Sequence, residues 1–286
     1  MVIGFIGFGR MGAPMATRIA AAGHRVIGYD IVAARRLQEI PGVVFADSVA
    51  LVATEADVIV TSLPGPAEVD AVARGPGGLL AVLKPGGILV ETSTISPQQS
   101  QAIAGDLAAR SVFYLDAPIS GGVQGAHDGT LAMMVGGPPE VLDRVRPILS
   151  CFAREIFHLG PVGAGNVMKL VIQSIFLSQM AVFLEAISMG EKSGIAVDTM
   201  LRIVAVSSAH HPTVATRYDK LRTGNLDPMF EIGSAVKDLS LAEDLWRTFD
   251  APLPALMSAL SDYRGAAAGG FSRCDLVAIR NWLARK

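Results

Sequence analysis

The chain has 286 residues, of which 51% are apolar and 17% are charged, and its formal net charge at neutral pH is -2. This length predicts two domains, and the composition predicts large buried cores and argues against intrinsic disorder. The balanced charge argues against nucleic-acid binding, which normally needs a concentrated basic patch.

Short β-rich runs alternate with helical stretches through the first half of the chain. Three stretches with helical periodicity are Ala13–Ala22, Pro97–Ala108 and Pro139–Leu149. This alternation predicts an α/β Rossmann domain, with a mostly parallel sheet covered by helices on both faces. Eight runs are predicted to be its strands: Val2–Ile6, Arg25–Tyr29, Val43–Phe45, Asp57–Leu63, Gly87–Glu91, Val112–Leu115, Leu131–Val135 and Ile156–Leu159.

A glycine-rich segment at residues 161–165 separates this half from a second half that is predicted to be all helical. We expect a Rossmann domain over residues 1–162 and an all-α domain over residues 163–286, joined through a long interdomain helix. Six helices are predicted: Asn166–Ser193, Val197–Val206, Thr213–Leu221, Ser234–Phe249, Pro252–Ala267 and Asp275–Leu283.

The compartment is predicted from three features of the sequence. The long helix carries Gln173 and Glu185 among its apolar residues, so we expect a buried helix of a soluble protein and no membrane span. The N-terminal apolar run is broken by glycines and does not resemble a secretory signal. Cys151 and Cys274 are far apart and show no metal-ligand spacing, so we expect no metal and a cytoplasmic location.

The strongest local motif is Gly7-Phe8-Gly9-Arg10-Met11-Gly12, which follows the first strand and opens a helix. In a dinucleotide-binding loop, Gly7 permits the tight turn, Gly9 lets the backbone approach a pyrophosphate, and Gly12 lets the helix pack closely on the sheet. The helix N-terminus then favours the negative charge of the phosphates. A glycine turn with a purely structural role is the alternative.

Asp30 ends the second strand at about the spacing where a carboxylate accepts hydrogen bonds from the adenosine ribose. A carboxylate at this position would repel the 2′-phosphate of NADP, so NAD is the predicted cofactor and NADP the less favoured one. Arg35 and Arg36 are the reason that NADP stays an alternative, because they could neutralise a phosphate.

Lys169 and Gln173 lie four residues apart at the start of the long helix, so their side chains share one face and can address one ligand. Desolvation of Lys169 would favour its neutral amine, which suits a general base near neutral pH. From spacing alone, a lysine that simply reaches solvent is the favoured interpretation.

Six segments resemble, in their order and spacing, the motifs of the β-hydroxyacid dehydrogenases, a family that includes 3-hydroxyisobutyrate dehydrogenase and tartronate semialdehyde reductase: GFIGFGRMGAPMA, SLPGP, ETSTISP, DAPISGG, GAGNVMK and VKDLSLA. The resemblance implies NAD-dependent oxidation of a small 3-hydroxycarboxylate, or the reverse reduction. It also implies that residues 1–162 form the NAD-binding domain, that residues 163–286 form the substrate and dimerisation domain, and that the enzyme is a homodimer or homotetramer.

The resemblance assigns roles residue by residue. Lys169 matches the catalytic lysine, and Lys237 matches a lysine near both cofactor and substrate, with Asp238 as a residue that could orient it; a surface ion pair is the alternative for this pair. Further substrate contacts are implied for Ser120, Gly121, Gly122 and Gln173. Further cofactor contacts are implied for Arg10 and Met11 of the glycine loop and for Leu63, Pro64, Ser93 and Thr94.

One departure from the family pattern concerns the substrate. Many members carry asparagine four residues after the catalytic lysine, where this chain has Ile172-Gln173, so the identity of the hydroxy acid does not follow from the resemblance. His210 and His211 lie where relatives place substrate contacts, and a pair without a role is the alternative. An imine reductase-type enzyme and a non-catalytic dinucleotide-binding scaffold are the rival functions, and Lys169 argues against both.

Overall fold

The computed structural model describes residues 1–249 and 252–285, which separate into a first unit, Met1–Lys169, and a second unit that begins at Leu170. The first unit contains a nine-stranded sheet. Its strands are β1 Val2–Ile6, β2 Arg25–Tyr29, β3 Val43–Phe45, β4 Val58–Thr61, β5 Ile88–Glu91, β6 Phe113–Asp116, β7 Ile119–Ser120, β8 Leu131–Gly136 and β9 Ala153–Gly160.

The first six strands are parallel and lie in the order β3-β2-β1-β4-β5-β6. This is the strand order of a dinucleotide-binding fold, in which the ligand lies at the carboxyl ends of the strands where the order reverses, here between β1 and β4. β8 pairs antiparallel with β6 and β7 and parallel with β9. The prediction of a mostly parallel Rossmann sheet is confirmed.

Helices cover both faces of the sheet, which is why nearly all residues of β1, β4 and β5 are buried. One face packs residues such as Phe5, Met15 and Val145, and the other packs residues such as Ile59 and Ile103. The helices of this unit are α1 Gly12–Ala21, α2 Ala33–Arg36, α3 Val49–Glu55, α4 Pro66–Arg74, α5 Leu79–Val82, α6 Pro97–Ala108, α7 Gly122–Asp128 and α8 Pro139–Leu149.

The second unit is helical in its described residues, apart from a single β-bridge between Glu231 and Asp275. Its first helix, α9, starts within the first unit, so it spans both. The helices are α9 Ala164–Lys192, α10 Val197–Ala205, α11 Pro212–Ala215, α12 Tyr218–Thr223, α13 Ile232–Arg247, α14 Pro254–Ala266 with a π-helical turn at Ala267–Phe271, and α15 Ala278–Leu283.

Two predicted helices of the second unit differ in the structure. The predicted helix Thr213–Leu221 is divided into α11 and α12, because the backbone of Arg217 leaves helical geometry where its side chain is buried beside Asp275. The predicted helix Asp275–Leu283 begins only at Ala278. Asp275 instead accepts hydrogen bonds from the backbone N–H groups of Met229 and Phe230, which holds it in the turn before the helix.

α9 is the one helix among the described residues whose length and mean hydropathy would suffice for a membrane span, and 39% of its apolar window is buried. The sequence analysis predicted a buried helix, but in the single chain some of its apolar residues are exposed. Four exposed apolar side chains recur every seven residues and form a stripe along the helix: Met168, Ile175, Val182 and Met189.

Candidate active site

The glycine loop has the geometry that the sequence predicts. Gly7 has a φ of +99°, and a Cβ there would lie 2.2 Å from the carbonyl oxygen of Ser62. A Cβ on Gly12 would lie 1.8 Å from the carbonyl oxygen of Gly7, so only glycine lets α1 start against the turn. At Gly9, by contrast, only the Arg35 guanidinium comes within 4.0 Å of a Cβ position, which leaves the backbone open to a ligand. These three features fit a dinucleotide pyrophosphate.

Asp30 lies at the carboxyl end of β2, and its side chain is almost completely buried. Its Oδ2 accepts a hydrogen bond from the Phe8 N–H at 2.7 Å, and its Oδ1 accepts one from the Val32 N–H at 2.8 Å. Arg35 Nη1 lies 3.2 Å from Oδ2 and forms an ion pair with it. Asp30 thus ties the glycine loop to β2 and holds a guanidinium beside the same loop.

Glu91, Ser93 and Leu63 form a hydrogen-bonded chain at the ends of β4 and β5. Glu91 Oε1 accepts from the Ser93 N–H at 2.8 Å, and Ser93 Oγ accepts from the Leu63 N–H at 2.8 Å. Burial raises the pKa of Glu91, and the hydrogen bonds from Ser93 partly oppose that shift. These hydrogen bonds fix the two loops that the sequence analysis assigns to the cofactor.

The segment Ser120-Gly121-Gly122 follows β7 and opens α7. Gly121 and Gly122 both have left-handed backbones, with φ of +131° and +66°. Glycine removes the Cβ strain that other residues would have in this conformation. Ser120 is held in register by pairing with Ala132 of β8. The segment therefore exposes main chain and a hydroxyl, the groups that a carboxylate would need.

Asp116 holds the N-terminus of α9 against the carboxyl end of β6. Its Oδ1 accepts from the Gly163 N–H at 2.8 Å and its Oδ2 accepts from the Asn166 N–H at 2.9 Å, so two of the unpaired donors of the helix start are satisfied. Burial raises the pKa of Asp116 to about 6, against the opposing effect of these hydrogen bonds. A Cβ on Gly165 would lie 2.8 Å from the Asp116 carbonyl oxygen, which shows how closely helix and strand approach.

Lys169 follows one turn later on α9, and its side chain is buried. Asn166 precedes it by three residues and is also completely buried. Residues three and four apart are neighbours on a helix surface, so Asn166, Lys169 and Gln173 share one face. The alternative of a lysine that simply reaches solvent does not agree with this burial.

In the second unit, Asp238 contacts two residues that the sequence assigns to the substrate. It accepts a short hydrogen bond from Gln173 Nε2, and Lys237 Nζ lies 2.8 Å from its Oδ1. Asp238 is buried while the Lys237 side chain is one-quarter exposed. Because a carboxylate can only accept, the Gln173 amide presents its N–H to Asp238 and its oxygen elsewhere.

Both halves of the chain match families of nicotinamide-dependent enzymes. Residues 2–160 match the NAD-binding domain of 6-phosphogluconate dehydrogenase. Residues 163–283 match a domain described as the NAD-binding domain of NADP-dependent 3-hydroxyisobutyrate dehydrogenase.

The chain belongs to the β-hydroxyacid dehydrogenase family.

The family relationship extends over nearly the whole chain. The chain is 34% identical in sequence to 2-(hydroxymethyl)glutarate dehydrogenase from Eubacterium barkeri, over 97% of this chain and 93% of that protein. It is 32% identical to the NAD-dependent L-serine dehydrogenase of Pseudomonas aeruginosa, over 97% and 96% of the two chains. The crystal structure of 3-hydroxyisobutyrate dehydrogenase from Salmonella typhimurium has a TM-score of 0.91 at 28% identity, with 98% and 99% of the two chains covered. The chain is therefore an NAD(P)-dependent enzyme of the 3-hydroxyacid dehydrogenase family.

Within each unit, hydrogen bonds and an ion pair connect some of the residues that the sequence assigns to the site. In the first unit, the glycine loop is bonded to Asp30 and Leu63 is bonded to Ser93. In the second unit, Gln173 and Lys237 share Asp238. His210 is exposed, and the Nδ1 atom of His211 is buried without a hydrogen-bond partner among the described residues, so the two histidines differ in their surroundings.

Four residues that support this site are not identified by the sequence analysis: Glu91, Ser100, Tyr114 and Asp116. Glu91 and Asp116 are acids at the ends of otherwise apolar strands, and this is the signal that could identify them, because a buried acid needs hydrogen bonds. Ser100 has no such signal, because a serine within a helix is ordinary.

Proposed function

We propose that this enzyme oxidises a small 3-hydroxycarboxylate to its semialdehyde with NAD, or catalyses the reverse reduction, with Lys169 as general base and acid. The observation that carries the proposal is the buried lysine on a helix whose first turn is fixed by Asp116. A general base must be held within hydrogen-bond distance of the proton that it takes, and the hydrogen bonds at this helix start fix the position of the lysine.

The names of the relatives support a common substrate core. 2-(Hydroxymethyl)glutarate, serine and 3-hydroxyisobutyrate all carry a carboxylate and a hydroxymethyl group on one carbon, and they differ in the third substituent of that carbon. We propose that the present substrate has the same core. Its third substituent is small, in keeping with a 3-hydroxyisobutyrate-like acid.

In this mechanism, each group of the chain has a distinct role. Ser120 and the main chain of Gly121 and Gly122 bind the substrate carboxylate, and Lys237 adds positive charge. Lys169, in its neutral form, takes the hydroxyl proton. Gln173, whose N–H group is bound by Asp238, accepts from the hydroxyl or from the protonated lysine with its oxygen. A bound nicotinamide supplies the hydride acceptor.

NAD is the cofactor that we propose. Asp30 is buried and carries its charge next to the glycine loop, where a 2′-phosphate would meet it. Arg35 offsets part of this charge, so NADP would bind more weakly but would not be excluded. The glycine loop, with Arg10 and Met11, and the Leu63-Pro64 and Ser93-Thr94 loops would contact the remainder of the cofactor.

We also propose that the stripe Met168, Ile175, Val182 and Met189 packs against a second copy of the chain. Exposed apolar side chains at a seven-residue spacing on a long helix are typical of helix–helix association. This supports the expected homodimer or homotetramer.

A substrate panel tests the proposed reaction. Reduced nicotinamide is followed by its absorbance while NAD or NADP is offered with each of the three acids named above, and with a 2-hydroxy acid of the same size. We expect turnover with NAD and at least one hydroxymethyl acid and none with the 2-hydroxy acid. Turnover of the 2-hydroxy acid alone would refute the proposed substrate class.

A further inference from the structure

The Asn166 side chain is completely buried, and only one end of its amide is paired. Oδ1 accepts a hydrogen bond from Ser100 Oγ at 2.7 Å. Nδ2 has no hydrogen-bond partner among residues 1–249 and 252–285. A buried donor without a partner costs about 1–3 kcal/mol, so an acceptor from outside the chain would remove a substantial penalty.

The direction of the amide is set by two hydroxyl groups. Tyr114 donates a hydrogen bond to Ser100 Oγ at 3.0 Å, and the Ser100 hydroxyl donates its own hydrogen bond to Asn166 Oδ1. Burial raises the pKa of Tyr114 well above its usual value, so its hydroxyl stays protonated and remains a donor. The oxygen of the Asn166 amide is therefore fixed toward Ser100, and its N–H groups point away from Ser100.

Asn166 is also fixed through its main chain and lies close to Lys169. Its backbone N–H donates to Asp116 Oδ2, so both the main chain and the side chain are held. It precedes Lys169 by one helical turn on the same face, about 4.5 Å along the helix axis. The face thus carries an amide donor before the lysine and, at Gln173, an amide that has its oxygen available after it.

We propose that Asn166 Nδ2 donates a hydrogen bond to the substrate oxygen that exchanges its proton with Lys169. The inference rests on the proposed role of Lys169. During oxidation the substrate hydroxyl gives its proton to the lysine amine. Its oxygen becomes a carbonyl oxygen as hydride leaves the carbon atom to which that oxygen is bonded. Asn166 neither gains nor loses a proton. An N–H group oriented in advance stabilises the negative charge that develops on this oxygen.

The variants Asn166→Asp and Asn166→Ala distinguish two roles for Asn166, that of a hydrogen-bond donor to the substrate and that of a purely structural residue. Asn166→Asp keeps an oxygen for Ser100 and replaces the amide NH2 group by a second carboxylate oxygen, whereas Asn166→Ala removes both ends without adding a charge. We expect both variants to bind NAD normally and to lose roughly 100-fold or more in kcat, as when other oriented donors to a reacting oxygen are removed. Near-normal kcat for Asn166→Asp would overturn the proposal, because a purely structural role survives that change.

Ser100→Ala gives an independent test with milder effects on folding. In the wild-type background it should lower kcat by roughly tenfold, because the amide is no longer oriented, and in the Asn166→Ala background it should change kcat by less than about twofold. Ser188→Ala is the matched control, since its buried hydroxyl donates to the Leu184 carbonyl of the same helix, and it should keep wild-type kcat. An equal loss for Ser100→Ala in both backgrounds would refute the proposal.

Lys169→Ala distinguishes the two failures. If it is inactive while the Asn166 variants are fully active, only the role of Asn166 is wrong. If Lys169→Ala itself is active, the proposed function is wrong as well.

Discussion

Asp116 Oδ2 accepts a hydrogen bond from the backbone N–H of Asn166 at 2.9 Å, and this bond attaches the last residue of β6 to the first turn of the helix that carries Lys169. The carboxylate is completely buried, and only hydrogen bonds from the main chain compensate for its charge among the interactions described. It therefore positions the helix at an energetic cost that depends on pH.

We predict that Asp116 makes the protein less stable as pH rises from about 4 to about 6. Its pKa is about 6 when folded and 3.8 in the reference state, so in this window the folded chain holds a proton that the unfolded chain has lost. The free energy of unfolding then falls with rising pH, by roughly 3 kcal/mol for this group. Asp116→Asn should abolish this contribution.

Urea unfolding of wild type and Asp116→Asn at about pH 4 and about pH 7 measures the effect. All other titrating groups cancel in the comparison, as does any pH-independent loss of a helix cap. Parallel changes of the two proteins with pH would contradict the raised pKa.

We predict that Asp30→Asn increases the use of NADP relative to NAD by at least about tenfold in kcat/KM, which corresponds to ~1.4 kcal/mol of charge repulsion removed. Asparagine keeps an oxygen for the Phe8 N–H, and Arg35 loses its partner and becomes able to bind a 2′-phosphate. Asp47→Asn, at an exposed acid, is the control. An unchanged cofactor ratio in Asp30→Asn would show that this carboxylate does not select the cofactor.

Asp238→Ala should lower kcat/KM for the hydroxy acid by roughly 10- to 100-fold, because it releases both Gln173 and Lys237 from their shared partner. Gln173→Leu in the same background should add little, since the two residues act as a unit. Asp244→Ala, at an exposed position of the same helix, serves as the control. Fully additive losses would mean that Asp238 does not act through Gln173.

Ile175→Glu together with Val182→Glu should shift the protein to a smaller species in sedimentation velocity. Both side chains are more than half exposed in the single chain, at 54% and 64%, and a charge on each would be desolvated at an interface. Leu51→Glu, at an exposed leucine of α3, should leave the sedimentation coefficient unchanged. An unchanged coefficient in the double variant would place the interface elsewhere or show that the protein is a monomer.

The sequence predicts most of the first unit because its signals are local. Three strands, Val2–Ile6, Arg25–Tyr29 and Val43–Phe45, have the predicted ends, since each has a glycine or a polar residue next to at least one end. β7 is not predicted because a strand of two residues is too short to show the alternation of side chains that identifies a strand. The predicted start of the last helix at Asp275 is wrong because this side chain bonds to residues more than forty positions away.

The supporting residues of the site depend on the same kind of distant contact. Ser100 and Asn166 are 66 positions apart in sequence, and no pattern around either one indicates that they meet. Gln173 and Asp238, 65 positions apart, are a similar case, although Asp238 lies in a family motif and Gln173 matches a position that the resemblance assigns to the substrate. Sequence patterns thus identify most of the residues proposed to act on the substrate, and the fold is needed to find Asn166 and the residues that hold the site in place.

The most direct test of the central claim compares NAD reduction by wild type and Lys169→Ala on the best acid of the panel, with NAD affinity measured by calorimetry. Loss of the general base should lower kcat by roughly 100- to 10,000-fold and leave the dissociation constant for NAD unchanged. A Lys169→Ala enzyme that binds NAD and retains a near-normal kcat would contradict the assignment of Lys169 as the base.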